Sequence, residues 1–314
     1  MFEIKGKVST ALCYANVVED EAIEQIRRMC DYEFTAGSEI RIMPDVHAGK
    51  GCTIGTTMTI TDKVVPNIVG VDIGCGMYTV ELGKVDIDFE RVDEAAHFIP
   101  SGHNTWEGRL ERFDLTGLRC YRSLKLTKRL EKSLGTLGGG NHFIEIDAAA
   151  DGTKYLVIHS GSRNLGKQVA EIYQALAVDL NMGKEELFKK QDELIRSYKV
   201  KGRRSEIDAA LKALKKEWKA NEPTIPPDLC YVYGKYMEDY LHDVEICQRF
   251  AKRSRERMAE ILLARTDMQA LSAFHTIHNY ISTDEMILRK GAIAAREGEP
   301  LLIPINMRDG SVLA

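Results

Sequence analysis

The feature of this sequence that most restricts its fold is a glycine-rich stretch, residues 64–80, in which an acid and a thiol lie three residues apart. Its three glycines weaken a continuous strand and are better explained by a sharp turn or by close approach of the backbone to a ligand. We therefore expect Asp72 and Cys75 to lie on an irregular loop between two apolar, strand-like runs. A carboxylate and a thiolate suit a borderline-soft divalent metal such as zinc, manganese or cobalt. Alone, this pair is more simply explained as a turn aspartate and a buried cysteine.

Composition predicts a globular protein without a global affinity for polyanions. The 314 residues are 44% apolar and 29% charged, with a formal net charge of −4. Such a chain can form one elaborated domain or two, and any binding to nucleic acid must come from a local basic patch. The sequence lacks an apolar run of about 18 residues and a signal peptide, so we expect no membrane segment and a cytoplasmic location. Seven cysteines without a regular spacing agree with a reducing compartment.

Two basic segments could supply a patch for a phosphate backbone. The first precedes the second glycine cluster and contains Arg109, Arg112, Arg119, Arg122, Lys125, Lys128, Arg129 and Lys132. The second, residues 184–219, has twelve Lys and Arg against seven Asp and Glu. Both are explained either as solvated helix faces or as surfaces that follow an RNA backbone.

Helical periodicity is concentrated in residues 167–265, although residues 17–30 also predict a helix. The four helices predicted there are Gln168–Leu180, Lys184–Tyr198, Ser205–Lys219 and Tyr231–Leu263. We interpret 167–265 as a helical insertion in a discontinuous α/β core formed by residues 1–166 and 266–314. The last part of the chain, residues 299–314, predicts a strand, a turn and a strand.

Three further segments present histidines in settings that could aim an imidazole into a cleft. A second glycine cluster, residues 135–140, leads into Asn141 and His142 and then into a strand-like run. His159 ends an apolar strand directly before a glycine turn, and His275 and His278 are spaced to share a helix face. Each histidine alone is more often structural.

Together, these residues suffice for two metal ions. Asp72, Cys75, His142, His159 and one of His275 or His278 give five metal-competent side chains. Two divalent ions could be held if Cys75 bridges them, and ions about 3.5–4 Å apart are an arrangement suited to phosphoryl transfer.

Several motifs of the sequence also resemble those of the RtcB family of GTP-dependent RNA ligases. They occur in the family's order along nearly the whole chain, at Pro44–Gly51, Val71–Met77, Gly138–Glu145, His159–Arg163, His278–Asn279 and Arg289–Ala292.

The resemblance implies an α+β fold of the RtcB type, with mixed β-sheets around a metal cleft, and two manganese ions. By position, Cys75 would bridge the ions, and Asp72, His142, His159 and His278 would complete the sites. His278 is preferred over His275 because the family pattern is His followed by Asn. Asn141 and Glu145 would help to hold GTP.

The resemblance also implies the reaction and its partners. RNA ends that carry a 2′,3′-cyclic phosphate or 3′-phosphate are joined to 5′-hydroxyl ends, as in the joining of tRNA halves during splicing, or in RNA repair. GTP guanylylates a histidine, GMP passes to the RNA 3′-phosphate, and the 5′-hydroxyl then displaces GMP.

In one respect the sequence departs from the family pattern. The guanylylated histidine of the family lies in a His-Gly-Ala-Gly-Arg motif, and a guanine-binding lysine lies near the C-terminus of the family's proteins. Neither feature occurs in these 314 residues. We therefore expect this polypeptide to bind metal, to supply no catalytic histidine and not to complete ligation, as a shortened gene product would.

Two other functions remain open at this point. A two-metal phosphoesterase would use water in place of the histidine nucleophile, and a non-catalytic metal- and RNA-binding remnant would use the basic insertion.

Overall fold

The computed structural model describes residues 1–218, 224–306 and 310–314, in which helices and strands are mixed along the chain. The helices are α1 (Asp20–Met29), α2 (Pro66–Val69), α3 (Phe89–Phe98), α4 (Thr127–Glu131), α5 (Arg163–Asn181), α6 (Glu185–Val200), α7 (Ile207–Glu217) and α8 (Gly234–Thr266). The strands are β1 (Phe2–Lys5), β2 (Thr10–Cys13), β3 (Ile40–His47), β4 (Ile54–Thr59), β5 (Lys63–Val64), β6 (Gly76–Gly83), β7 (Phe143–Ala148), β8 (Lys154–Ser160), β9 (Val232–Tyr233), β10 (Ser272–Ile277), β11 (Asn279–Ser282), β12 (Ile287–Lys290), β13 (Leu302–Asn306) and β14 (Gly310–Leu313). The expected α+β class is confirmed.

Local sequence explains where several helices begin. Helix α1 has Asp20 and Glu21 in its first turn and two arginines in its last turn, a distribution that complements the helix dipole. Helix α2 starts with Pro66, whose missing N–H is not needed in the first turn. Helix α3 is capped by Asp88, whose side chain accepts a hydrogen bond from the backbone N–H of Arg91.

The larger sheet has the strand order β1-β2-β3-β4-β12-β11, and the smaller sheet has the order β10-β6-β8-β7. The neighbouring strands of the smaller sheet are all antiparallel, whereas β2 and β3 of the larger sheet run parallel. Pro44 lies within β3 where the register to β4 shifts, as expected for a residue that cannot donate to the ladder. Two short pairs, β5-β9 and β13-β14, complete the described pairing.

Helix α8 joins the two main parts of the core. Its N-terminal half contributes Val244 and Phe250 to the cluster that contains the larger sheet and α5. Its C-terminal half contributes Met258 and Leu262 to the cluster beneath β6 and β8. Because one helix packs on both sheets, it fixes their relative position.

The four helices predicted in residues 167–265 are present as α5 to α8, although the end of the third, Lys219, lies outside the described residues. Helices α5 and α8 are built into the main core through residues such as Val169 and Tyr240. By contrast, the described part of α6 and α7 buries only Leu187. The division into a core and an insertion therefore stays a prediction, and this packing confines any separate unit to α6 and α7.

Other expectations are met at the ends of the chain. The helix predicted in residues 17–30 is α1, and the C-terminal strands are β13 and β14, although residues 307–309 between them lie outside the described part. No helix among the described residues is long and apolar enough to cross a membrane. All seven cysteines are free and buried.

Candidate functional site

The smaller sheet brings four of the predicted ligands to one edge. Cys75 directly precedes β6, His142 directly precedes β7, His159 is the penultimate residue of β8 and His278 directly follows β10. Since each neighbouring pair is antiparallel, the starts of β6 and β7 lie beside the ends of β8 and β10. Residues distant in sequence therefore meet because of strand order and direction.

The irregular loop predicted for Asp72 and Cys75 is present between α2 and β6, but the apolar run before it is helical and not a strand, since Pro66 starts a helical turn there. The main chain of the loop is hydrogen-bonded to the end of β10. The Cys75 N–H donates to Asp72 O at 3.2 Å, and Cys75 O accepts from the His278 N–H at 3.0 Å. Gly74 has φ +76°, and a Cβ there would lie 2.9 Å from Gln248 Cα of α8. Glycine is therefore required at position 74 both by its backbone conformation and by the close approach of the helix.

Two groups of three side chains share Cys75. Cys75, His159 and His278 form one group, and Asp72, Cys75 and His142 form the other; the ligand atoms of each group lie within 4.8 Å of one another. The Cys75 Sγ is 3.2 Å from His159 Nε2 and 3.5 Å from His142 Nε2. The structure thus places all five predicted ligand residues together, with the thiol at their centre.

Backbone carbonyls orient two of the imidazoles. His142 Nδ1 lies 3.0 Å from Leu137 O, and His159 Nδ1 lies 3.0 Å from Asn141 O. A carbonyl can only accept, so Nδ1 carries the hydrogen in both rings and Nε2 of a neutral ring presents a lone pair to Cys75. This tautomer is the one that binds metal through Nε2, with the other ring nitrogen held in place.

The other ring nitrogen of His142 contacts the carboxylate of Asp72. Asp72 Oδ2 lies 3.0 Å from His142 Nε2. With Nδ1 already donating to Leu137, Nε2 can donate to Asp72 only in the charged imidazolium; a neutral ring needs a cation between the two atoms. The pair therefore favours either a proton or a metal ion at this position.

Burial opposes charge on most groups of the cluster. It raises the pKa of the Cys75 thiol well above its ordinary value, and the neighbouring Asp72 adds to this. Burial lowers the pKa of His159 to about 4 and that of His278 to about 3, so both rings are neutral at neutral pH. For Asp72, burial is outweighed by hydrogen bonding and attraction to His142, and the pKa of its carboxyl lies below the ordinary value.

A cavity of about 560 Å³ opens beside this cluster, and its wall is rich in cations. Asp72 and His142 lie at one side, and Arg129, Arg163 and Lys167 line the rest together with small and polar residues. A neighbouring depression shares Arg129 and adds Lys128 and Lys132. Of the eight cations in the first basic segment, three therefore face this region, which favours the phosphate-contact alternative over a merely solvated helix face.

Asn141 and Glu145 are placed differently from each other. Asn141 lines the cavity beside His142. Glu145 lies within β7, paired with Val157, and burial followed by repulsion from Asp147 raises the pKa of its carboxyl. The structure therefore brings Asn141, but not Glu145, into the wall of this cavity.

His275 is not part of the cluster, and the expectation that it shares a helix face with His278 is wrong. His275 lies within β10 and His278 directly follows it, and in an extended segment side chains three residues apart point to opposite faces. His275 stacks on Tyr78 with ring centroids 4.3 Å apart, and its Nε2 lies 3.2 Å from Glu256. The helix prediction failed because a spacing of three residues does not distinguish a helix face from a strand end.

Two arginines at the site were missed by the sequence analysis. Arg163 has φ +58°, and its guanidinium reaches Thr136 Oγ1 at 3.3 Å and lies 3.3 Å from His142 Nδ1. Its signal was its position in a glycine turn directly after the His159 strand. Arg255 is fully buried on α8; its signal was an arginine on the apolar stripe of a helix, between Ala251 and Met258.

Comparison with known proteins agrees with this arrangement. The family model described as "tRNA-splicing ligase RtcB" matches residues 25–113 and 103–314. The RNA-splicing ligase RtcB of Escherichia coli K12 is 28% identical over 92% of this chain and 72% of that protein. The tRNA-splicing ligase RtcB of Archaeoglobus fulgidus is 29% identical over 49% of this chain and 43% of that protein. Because the family model spans most of the sequence, this chain belongs to the RtcB family.

Proposed function

We propose that this chain is an RNA ligase of the RtcB type, with its reaction centre at the Cys75 cluster. The observation that carries the proposal is the pair of ligand groups sharing Cys75 at the side of a cation-lined cavity. The relatives carry the name of RNA- or tRNA-splicing ligases. This combination supports a site that handles phosphates with the help of metal ions.

The donor set fits manganese. One thiolate, three imidazoles and one carboxylate are ligands that Mn²⁺, Co²⁺ and Zn²⁺ accept. Cys75, His159 and His278 would hold one ion, and Asp72, Cys75 and His142 the other. When bound, two such ions supply charge neutralisation and alignment for in-line attack at phosphorus.

The cavity supplies the contacts for RNA and nucleotide. Arg129 and Lys167 can bind phosphate oxygens, and the positively charged guanidinium of Arg163 lies beside His142. Asn141 and Glu145 are assigned to GTP by the family resemblance, and the position of Asn141 in the cavity wall supports its part of that assignment. The RNA ends are those with a 3′-phosphate or 2′,3′-cyclic phosphate and those with a 5′-hydroxyl, and a cytoplasmic location remains part of the proposal.

Neither alternative function gains support. The two-metal phosphoesterase has the same metal requirement, but the relatives are named as ligases. The remnant would bind RNA through α6 and α7, yet the cations that line the cavity beside the cluster lie on α4 and α5.

The shared thiol predicts a characteristic pattern of metal loss. Cys75→Ala should remove both ions, whereas Asp72→Ala and His278→Ala should each weaken one, because only Cys75 belongs to both groups. Equilibrium dialysis with Mn²⁺ followed by metal analysis gives the stoichiometry. Cys120→Ala, at a buried cysteine outside both groups, is the control. Retention of one ion at full affinity in Cys75→Ala would show that the thiol does not bridge.

Binding at the Cys75–His159–His278 group should release about one proton. The raised pKa of the Cys75 thiol leaves it protonated near neutral pH, whereas His159 and His278 have already lost their protons. Protons therefore compete only for the thiolate, and apparent affinity should fall about tenfold per unit as pH is lowered from about 8 to about 6.

Calorimetry on the His142→Ala variant isolates the Cys75–His159–His278 group, because this substitution removes a ligand of the other ion only. Titration with Co²⁺ in two buffers of different ionisation enthalpy counts the protons. Release of two protons, or of none, would contradict this assignment of protonation states.

RNA binding should depend on the cations of the cavity and of the neighbouring depression. Replacement of Lys128, Lys132 and Lys167 by glutamine should weaken binding of a short single-stranded RNA and reduce the salt slope by about 2, since each lost phosphate contact contributes about 0.7. Fluorescence anisotropy against salt concentration measures both. The matched control replaces the exposed Lys212, Lys215 and Lys216 of α7. A larger effect from the α7 triple would favour the basic insertion instead.

The ligase proposal predicts that this polypeptide fails at the guanylylation step but completes the final joining step. With Mn²⁺ and labelled GTP, this 314-residue polypeptide should retain no covalent label, because the guanylylated-histidine motif does not occur in it. Supplied with RNA whose 3′-phosphate already carries GMP, it should join that end to a 5′-hydroxyl, with GMP as the leaving group. Gel analysis of the products tests this.

Three controls and outcomes decide the interpretation. Cys75→Ala should give no joined product from the activated RNA. Covalent label on the chain would refute the expected need for the missing motif. Release of inorganic phosphate from 3′-phosphorylated RNA, without joining, would favour the phosphoesterase.

A further inference from the structure

Arg255 is a fully buried cation whose side chain links two segments of the site. It lies on α8 and is 0% exposed. Its Nη1 donates to Gly74 O at 2.8 Å and to Ser160 O at 2.6 Å. Gly74 is the neighbour of Cys75, and Ser160 is the neighbour of His159. One nitrogen therefore holds the backbone beside two ligands that are 84 residues apart.

A purely structural role explains this arginine poorly. Removing a guanidinium from water without a paired anion is strongly unfavourable, and an apolar side chain of similar volume would pack on the same helix stripe. Among residues 1–218, 224–306 and 310–314, neither Nε nor Nη2 of Arg255 has a hydrogen-bond partner. The anionic groups that attract it are Cys75, when ionised, Asp72 and, more weakly, Glu256 of the same helix, and the first two belong to the ligand cluster. The cation is therefore placed for the ligand cluster.

We propose that Arg255 is a positioning residue that sets the separation between the Cys75 loop and the His159 strand before metal binds, an inference that rests on the proposed metal site. Both carbonyl acceptors bind the same nitrogen, so neither segment can move away without losing a buried hydrogen bond. The long helix packs on both sheets and gives Arg255 a rigid base. The chain thus pre-forms the distance between Cys75 Sγ and His159 Nε2, rather than relying on the ions to collect their ligands.

The central test is Co²⁺ binding, followed by the visible absorption of the bound ion. Arg255→Met keeps most of the volume and removes both hydrogen bonds; it should weaken Co²⁺ binding about tenfold or more and alter the spectrum. Arg255→Lys keeps the charge on a shorter side chain, and we expect it to weaken binding as well. Arg249→Met, at an exposed position of the same helix, should bind like the wild type.

The outcomes separate positioning from charge and from folding. Wild-type affinity in folded Arg255→Met, or full recovery in Arg255→Lys, would overturn the proposal. Hydrogen exchange on the wild-type chain decides independently of any variant. The amides of residues 72–75 and 159–162 should be protected before Co²⁺ is added, and protection that arises only with Co²⁺ would refute positioning by Arg255. Failure of the wild type to bind Co²⁺ would instead count against the metal site itself.

Discussion

The candidate site depends on antiparallel pairing of β6 with both β8 and β10. This pairing brings the start of one strand against the ends of two others, so the loop before β6 meets residues at the ends of β8 and β10. The backbone contact between Cys75 O and His278 N is part of the same arrangement. A shift in register by one residue would turn His159 to the other face of the sheet and separate it from Cys75.

Burial determines the chemistry of the cluster. A thiol, two neutral imidazoles and a carboxylate are held in a region that disfavours charge on Cys75, His159 and His278. Outside this region, the exposed cations Lys128, Arg129 and Lys167 can meet phosphate without a large desolvation cost, whereas Arg163 is half-buried beside the cluster. The site therefore has a buried side suited to metal ions and a solvent-exposed side suited to polyanions, with Asp72 and His142 between them.

The sequence allowed the candidate ligand residues to be named, but not which of them lie together on each side of Cys75. Asp72, Cys75, His142 and His159 were predictable because glycine loops and strand ends expose polar side chains to a cleft. Two facts were not predictable from residue patterns: the strand order β10-β6-β8-β7, which is set by long-range pairing, and the contacts of Arg255, which lie on the hidden face of α8. The spacing of His275 and His278 was ambiguous because periods of two and 3.6 cannot be distinguished over four residues.

The wide spread of the ligands along the chain has a consequence for folding. The cluster draws on segments from Asp72 to His278, and the smaller sheet pairs β6 with β10 across most of that distance. Contacts so distant in sequence form late and slowly, because a long loop must close before they are made. During synthesis, the shared thiol emerges long before its last imidazole partner. Binding of both ions would therefore show that all four strands of the smaller sheet have paired. Metal binding would then mark the end of folding and not its beginning.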